Sequence, residues 1–211
     1  MKKVVFIDWS GTLSYSIFWE HLQDTRHPNH KHFPSIRKWL FTDNRDIINP
    51  WMRGDLSVDD VIGRMSQDVG INRVLIMDEL RRSCEEMRFS VENLENIIVT
   101  IQKRGVKVVI ATDNMDTFSR FTVPTMQLNK IFDEILNSYD IGHLKDDELP
   151  TDSILFFDKY LKMNGWGYDD AVLLDNSPDK SGKYRRLGFE RILIDSPETL
   201  KAELEKFANP S

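Results

Sequence analysis

Residues 4–13 read Val-Val-Phe-Ile-Asp-Trp-Ser-Gly-Thr-Leu, and no other stretch constrains the fold as much. Val4, Val5, Phe6 and Ile7 run without a polar break into Asp8. A short β-rich apolar run with no polar alternation reads as a strand buried on both faces, as in a parallel sheet. Gly11 then supplies a turn, which puts Asp8 at the carboxyl end of that strand. Open α/β sheets bind ligands at that edge. A carboxylate there is a nucleophile, a metal ligand or a helix cap, and the strand alone does not choose.

Four more short apolar runs follow, at 106–111, 134–136, 171–174 and 191–194. Helical segments separate the later ones, which predicts an α/β fold: a Rossmann-like parallel sheet flanked by helices. Three of the strongest runs end in a reactive polar residue, namely Asp8, Thr112 and Asp175. The interval between the first two strands differs. From 15 to 90 no strand is expected, and the spacing predicts helices over 59–69 and 73–87. The first carries Val61, Ile62, Met65 and Val69 with Ser57 as N-cap; the second carries Val74, Met77, Leu80, Cys84 and Met87. An insert of this length exceeds a simple crossover, so residues 15–90 are expected to form an α-helical cap. Residues 1–14 and 91–211 are expected to form the α/β core. A helix over 91–104, closed by Gly105, leads into the second strand.

The bulk properties exclude several classes. A net charge of −6 gives no electrostatic reason to expect nucleic acid as a partner. The single cysteine, Cys84, rules out an internal disulfide and any Cys-only zinc site, and packing is its expected role. No apolar run approaches the ~18 residues of a membrane span. Met-Lys-Lys leads at once into the first strand, leaving no room for a signal peptide, so a cytoplasmic protein is expected; a monomer or homodimer is the expected state. His27, His30 and His32 lie close enough together to suggest a metal site, but Pro28 and Asn29 favour a solvated loop.

The motifs at the strand ends resemble those of the haloacid dehalogenase (HAD) superfamily of hydrolases. That family's first motif, Asp-x-Asp-x-Thr, corresponds to Asp8-Trp9-Ser10-Gly11-Thr12. Its second, a Ser or Thr ending the next strand, corresponds to Thr112, with Asp113 and Asn114 behind it. Its lysine is matched to Lys145, and its final acidic pair to Asp175 and Asp179 in Asp-Asn-Ser-Pro-Asp. All four occur in the family's order, and the resemblance spans essentially the whole chain, with 15–90 similar to the family's first type of cap.

The resemblance implies that Asp8 is the nucleophile in a covalent mechanism on a small-molecule substrate. It implies Mg2+ held by Asp8, the backbone carbonyl of Ser10 and Asp175, with Asp179 either a further ligand, through water, or an anchor for Lys145. Lys145 would offset the negative charge, while Thr112 and Asn114 would bind the transferring group's oxygens. Thr12 belongs to the first motif, and Trp9 and Asn176 are candidate substrate contacts. The chain departs from the family at Ser10, where phosphatases carry an acid that protonates the leaving oxygen and then activates water. A serine hydroxyl has no suitable pKa for that work, and losing such a group costs ~10²–10⁴-fold. Dehalogenases of the family also lack this acid, since halide leaves without a proton, but they carry a neutral residue where Asp175 stands. Phosphonoacetaldehyde hydrolases match Asp-Trp-x-Gly-Thr yet need a Schiff-base lysine from the cap, where this chain offers only Lys31 and Lys38. The expected function is a Mg2+-dependent hydrolase of a small phosphorylated or otherwise activated metabolite. The alternatives are a metal-independent carbon–halogen or carbon–phosphorus hydrolase, and an inactive scaffold that binds a ligand or a protein.

Overall fold

The computed structural model describes residues 2–147 and 153–209. Five strands form one wholly parallel sheet: β1 (Val4–Ile7), β2 (Lys107–Thr112), β3 (Glu134–Asn137), β4 (Ala171–Asp175) and β5 (Glu190–Leu193). Their order is β3-β2-β1-β4-β5. Every expected run is a strand, with no end displaced by more than one residue. The chain starts in the central strand, builds outward through β2 and β3, then crosses to β4 and β5. The strand order therefore reverses beside β1, the place where such sheets bind ligands.

Register does the first work of assembling a site. Ile7 lies opposite both Ile110 on β2 and Leu174 on β4. The next residues, Asp8 and Asp175, then fall at the same level on neighbouring strands, and the Asp8 N–H donates to the Leu174 carbonyl at 2.9 Å. Side chains alternate across the sheet. Val5, Ile7, Val108, Ile110, Val172 and Leu174 feed one core; Val4, Phe6, Val109, Ala111 and Leu173 feed the other.

The longer helices are α1 (Val58–Val69), α2 (Arg73–Glu85), α3 (Leu94–Lys103), α4 (Leu155–Met163) and α5 (Pro197–Ala208). α3 and α5 cover the first face through Ile98, Ile101, Leu200 and Leu204. α4 covers the second, where the Phe157 ring lies tilted 4.8 Å from Phe6 and edge-on 5.0 Å from Phe189.

Residues 15–90 contain no strand. Short helical turns, among them Glu20–Gln23, His30–His32 and Ile48–Met52, precede α1 and α2. Ser57 caps α1 as expected, in a capping box: its hydroxyl accepts the Asp60 N–H, and the Asp60 carboxylate accepts the Ser57 N–H. α2 buries Leu80 and Cys84 as expected, with Met87 just past its end and Met77 packed against the core, and of the expected stripe Val74 alone faces outward. Ile76 and Ser83 are buried as well, whereas Val74 is 64% exposed. Packing against the rest of the insert decides that face, and Val74 in the first turn lies off it. Cys84 is buried and unpaired, and burial pushes its thiol up to about 12. The insert leaves and returns at one point, because Ser90 donates from N–H to the Leu13 carbonyl and from its hydroxyl to the Thr12 carbonyl. It is also fastened to the segment after β2, where the Asp116 carboxylate accepts from the Trp51 indole at 2.9 Å and from the Val58 N–H.

Candidate active site

The turn after β1 folds back on itself. The Asp8 carbonyl accepts the Leu13 N–H, the Trp9 carbonyl accepts the Ser14 N–H, and the Gly11 N–H reaches the Ser14 carbonyl. Two constraints select glycine at position 11. Its φ is +78°. A Cβ there would also lie 2.3 Å from the Asn176 side-chain nitrogen, so the loops after β1 and β4 lie directly against each other. Ser10 and Asn176 are exposed, while Asp8 is buried.

Lys145 closes the arrangement. It is 4% exposed, which excludes a solvated charged loop. Its ammonium donates to Asp8 Oδ1 and to Asp175 Oδ2, each at 2.6 Å. Its backbone is held at both ends: the N–H donates to Asp113 Oδ1 at 3.0 Å, and the carbonyl accepts the Tyr184 hydroxyl at 2.9 Å. Asp175 Oδ1 accepts the Ser177 N–H at 2.7 Å and faces an Arg191 nitrogen at 3.3 Å. The Arg191 guanidinium lies 4.7 Å from the centre of the Tyr184 ring and pairs with Asp146 on its other side.

The charges settle unequally. Burial pushes the Asp8 carboxyl up from 3.8 to about 6; Lys145 opposes this, while Asp175 and Asp113 add to it. Burial also works against ionised Asp175, but Lys145 and Arg191 hold its carboxyl below the usual range. Lys145 is held above its ordinary value despite burial, because Asp8, Asp175 and Asp113 all favour the cation. The centre therefore keeps one firm anion, one firm cation and one acid, Asp8, that titrates near neutrality. One buried donor at the strand ends is left without a partner. The Thr112 hydroxyl has no hydrogen-bond partner among the described residues. Asn114, also buried, spends its side-chain oxygen on the Met115 N–H.

Of the residues singled out in the sequence, Asp8, Thr12, Lys145 and Asp175 meet in one cluster, Thr12 through a 3.5 Å contact from its hydroxyl to Asp8 Oδ2. Thr112 ends the strand beside Asp8. Two residues stand elsewhere. Asp179 turns its carboxylate to the Arg185 N–H and the Ser181 hydroxyl, because the turn that follows β4 carries it to the start of the next helical turn. Trp9 is 1% exposed and packs between Phe89 and Phe118, so it belongs to the core. Sequence reasoning missed Arg191, Tyr184 and Asp113 as parts of the centre. A charged residue inside the short β5 was the available signal for Arg191.

The centre fits a hard cation such as Mg2+ in its donor chemistry. Asp8 Oδ2 has only the 3.5 Å contact with Thr12, and the raised Asp8 carboxyl marks a place where further positive charge would be favourable. Asp8, the Ser10 carbonyl and Asp175 are the donors at the strand ends, Asp175 on exchange of one of its present partners; Asp179 accepts from the Arg185 N–H and the Ser181 hydroxyl and makes no hydrogen bond with Asp8, Asp175 or Lys145 among the described residues.

No family model matches this chain, and no curated protein sequence matches it. Solved structures do. The fold is similar to that of a protein from Porphyromonas gingivalis described as a predicted HAD-like family hydrolase, at 14% identity and TM-score 0.66 over 100% of both chains. It is similar to a HAD family enzyme of Bacteroides thetaiotaomicron in complex with magnesium and inorganic phosphate, at 12% identity and TM-score 0.61, over 92% of this chain and 94% of that one. It is similar as well to the L-2-haloacid dehalogenase of Xanthobacter autotrophicus with chloropropionic acid covalently bound, at 12% identity and TM-score 0.60, over 98% of this chain and 83% of that one. The chain has the fold of the haloacid dehalogenase superfamily.

Proposed function

We propose that the protein is a Mg2+-dependent hydrolase that attacks a small phosphorylated metabolite with Asp8. The observation that carries this reading is the Lys145 bridge between Asp8 and Asp175 at the switch point of the sheet. An anionic nucleophile meets an anionic phosphoryl group only where positive charge offsets the repulsion, and Lys145 supplies that charge from a buried, fixed position. Asp8 Oδ2 is the oxygen with lone pairs to spare. It bonds to phosphorus as the ester oxygen departs with its electron pair, and water then cleaves the aspartyl phosphate. The Thr112 hydroxyl and the Asn114 amide donate to the oxygens of the transferring group. Mg2+, held by Asp8, Asp175 and the Ser10 carbonyl, would add a Lewis acid that neutralises phosphoryl charge.

Ser10 restricts the substrate. With no acid two residues after the nucleophile, the leaving group departs without a proton from the chain, so acyl and aryl phosphates fit better than alkyl phosphates. Residues 15–90 act as a cap over the sheet edge and select the substrate, with 1–14 and 91–211 as the catalytic core. The Arg53–Asp147 ion pair supports this role, because it ties the insert to the segment that carries Lys145.

A second reading has one observation in its favour. Lys145 and Arg191 already set two buried cations against Asp8 and Asp175, which suits metal-independent displacement of a halide. A panel of phosphometabolites, including an acyl phosphate, with 2-chloropropionate alongside, separates the readings when run with Mg2+ and with EDTA. The expected result is phosphate release that needs both Mg2+ and Asp8. Chloride release in EDTA would replace the first reading by the second, and silence across the panel would favour a binding scaffold.

A further inference from the structure

A second polar cluster lies in the insert. His21 on the Glu20–Gln23 turn, His27 in the loop after it and Glu79 on α2 present donor atoms all within 4.8 Å of one another. Among the described residues this is the one such grouping of His, Cys, Asp and Glu donors. His21 Nε2 lies 2.7 Å from Glu79 Oε2, and His27 Nε2 lies 3.9 Å from the same oxygen. The two imidazole rings sit 5.2 Å apart at 67°. All three side chains are mostly buried, at 12%, 14% and 12% exposure for His21, His27 and Glu79.

The geometry points to a transition-metal site here, with Zn2+ as the fitting ion and His21, His27 and Glu79 as its ligands. Two imidazoles and one carboxylate form a borderline-soft donor set that suits Zn2+ and not Mg2+. Zn–ligand bonds of roughly 2.0–2.2 Å set tetrahedral ligand atoms about 3.3 Å apart. The short His21–Glu79 contact must open, and the longer His27–Glu79 contact must close, by roughly 0.6 Å each on that geometry. A fourth position stays open to water.

The surroundings already supply what such a site needs. Asn29 donates from its side-chain nitrogen to Glu79 Oε1 at 2.6 Å, which leaves Oε2 turned to the imidazoles. His21 Nδ1 is buried without a hydrogen-bond partner, and the nearest carboxylate oxygen, on Glu86, is 4.0 Å away. An ion on His21 Nε2 displaces the proton shared with Glu79 and places the remaining one on Nδ1, facing Glu86, the usual support for a metal-bound histidine. His27 likewise carries its proton on Nδ1 when Nε2 is bound, and gives up a 3.2 Å contact from the Asn29 N–H. A cleft of about 270 Å³, lined in part by Glu20, His21, Asp24 and Glu86, opens beside His21 as an entry path. Only one of the three clustered histidines takes part: the His30 ring is spent on the Leu22 carbonyl at 2.7 Å, and His32 is no member of the grouping. The bound ion ties the irregular 20–32 segment to α2, as a staple within the insert.

The site stands apart from the hydrolase reading, and the test keeps the two distinct. Isothermal titration of metal-stripped full-length protein with ZnCl2 should give one tight site per chain, unchanged in Asp8→Asn and in His32→Ala. His27→Ala and Glu79→Gln should each weaken it more than about 100-fold, and Asn29→Ala by about 10–100-fold, as expected for a residue that positions a ligand. Co2+ in place of Zn2+ should give the visible absorption of a tetrahedral nitrogen–oxygen site in the wild-type protein. Circular dichroism establishes that each variant is folded, and the wild-type Co2+ spectrum decides even if a variant is not. Absence of stoichiometric Zn2+ binding and of that spectrum overturns the proposal. So does binding that survives both His27→Ala and Glu79→Gln, or that is lost in Asp8→Asn.

Discussion

The cluster at the sheet edge and the cluster in the insert share a plan and differ in material. Each sets a buried carboxylate against nitrogen at 2.6 or 2.7 Å, Asp8 and Asp175 against Lys145 in one, Glu79 against His21 in the other. At the sheet edge the nitrogen is an ammonium with no lone pair, so it serves as a fixed counter-charge, and in the proposed function the carboxylate is the reactive group. In the insert the nitrogen is an imidazole whose lone pair can be turned to an ion, so the same proximity makes a ligand set. The clusters also differ in what assembles them. Register delivers Asp8 and Asp175 to one level from neighbouring strands. The insert has no register, and its cluster depends on where the Glu20–Gln23 turn settles against α2.

The largest expected effect breaks the first cluster at its reactive member. Asp8→Asn should lower turnover by at least about 10⁴-fold, the scale seen when a nucleophile is removed. The far-ultraviolet circular dichroism spectrum should be unchanged. Turnover within tenfold of wild type would remove Asp8 as nucleophile. Lys145→Met tests the counter-charge instead. It leaves two buried carboxylates facing each other, and breaking such a pair costs about 3–5 kcal/mol. For a chain of this size that lowers Tm by roughly 10 °C. A Tm within two degrees of wild type at pH 7 would mean that Lys145 is not what holds the two acids together.

These residues were legible because strand ends repeat a simple rule. An apolar run that stops at an acid or a hydroxyl marks one edge of a parallel sheet, and Asp8, Thr112 and Asp175 all obey it. Arg191 was hidden because it lies within the apolar run that became β5, where a charge reads as the strand's boundary. Asp179 was misplaced because spacing along a turn does not report which way a carboxylate points. The insert resisted for a related reason. Its helices could be read from periodicity, but the face of α2 is set by tertiary packing, and His21 and His27 find Glu79 across that packing. A glutamate on the inward stripe of α2, with Ile76, Leu80 and Ser83, was the one local sign of a buried polar site.

Ser10→Asp sharpens the comparison by adding the proton donor that the edge lacks. It should raise hydrolysis of an unactivated phosphomonoester by about 10²-fold or more, measured as phosphate release. No gain would mean that the missing acid does not limit the site. The smallest effect concerns pH. Asp8 titrates at about 6 in the folded chain against an ordinary 3.8. A raised folded-state pKa contributes stability that is present below the ordinary value and is lost as pH rises through the folded one. The Tm of wild type relative to Asp8→Asn should therefore fall by a few degrees between about pH 4 and about pH 6, then level off. A difference that stays flat across that window would contradict the burial-driven shift. Turnover should rise as pH passes through about 6, where Asp8 ionises.

The most direct test of the central claim is to trap the nucleophile. Fluorine NMR of the protein with Mg2+ and beryllium fluoride reports whether a carboxylate forms the phosphoaspartate mimic. The account predicts a bound resonance that requires Mg2+, persists in Ser10→Asp and disappears in Asp8→Asn. A bound resonance that survives Asp8→Asn, or its complete absence from the wild-type protein with Mg2+ present, would contradict phosphoryl transfer through Asp8.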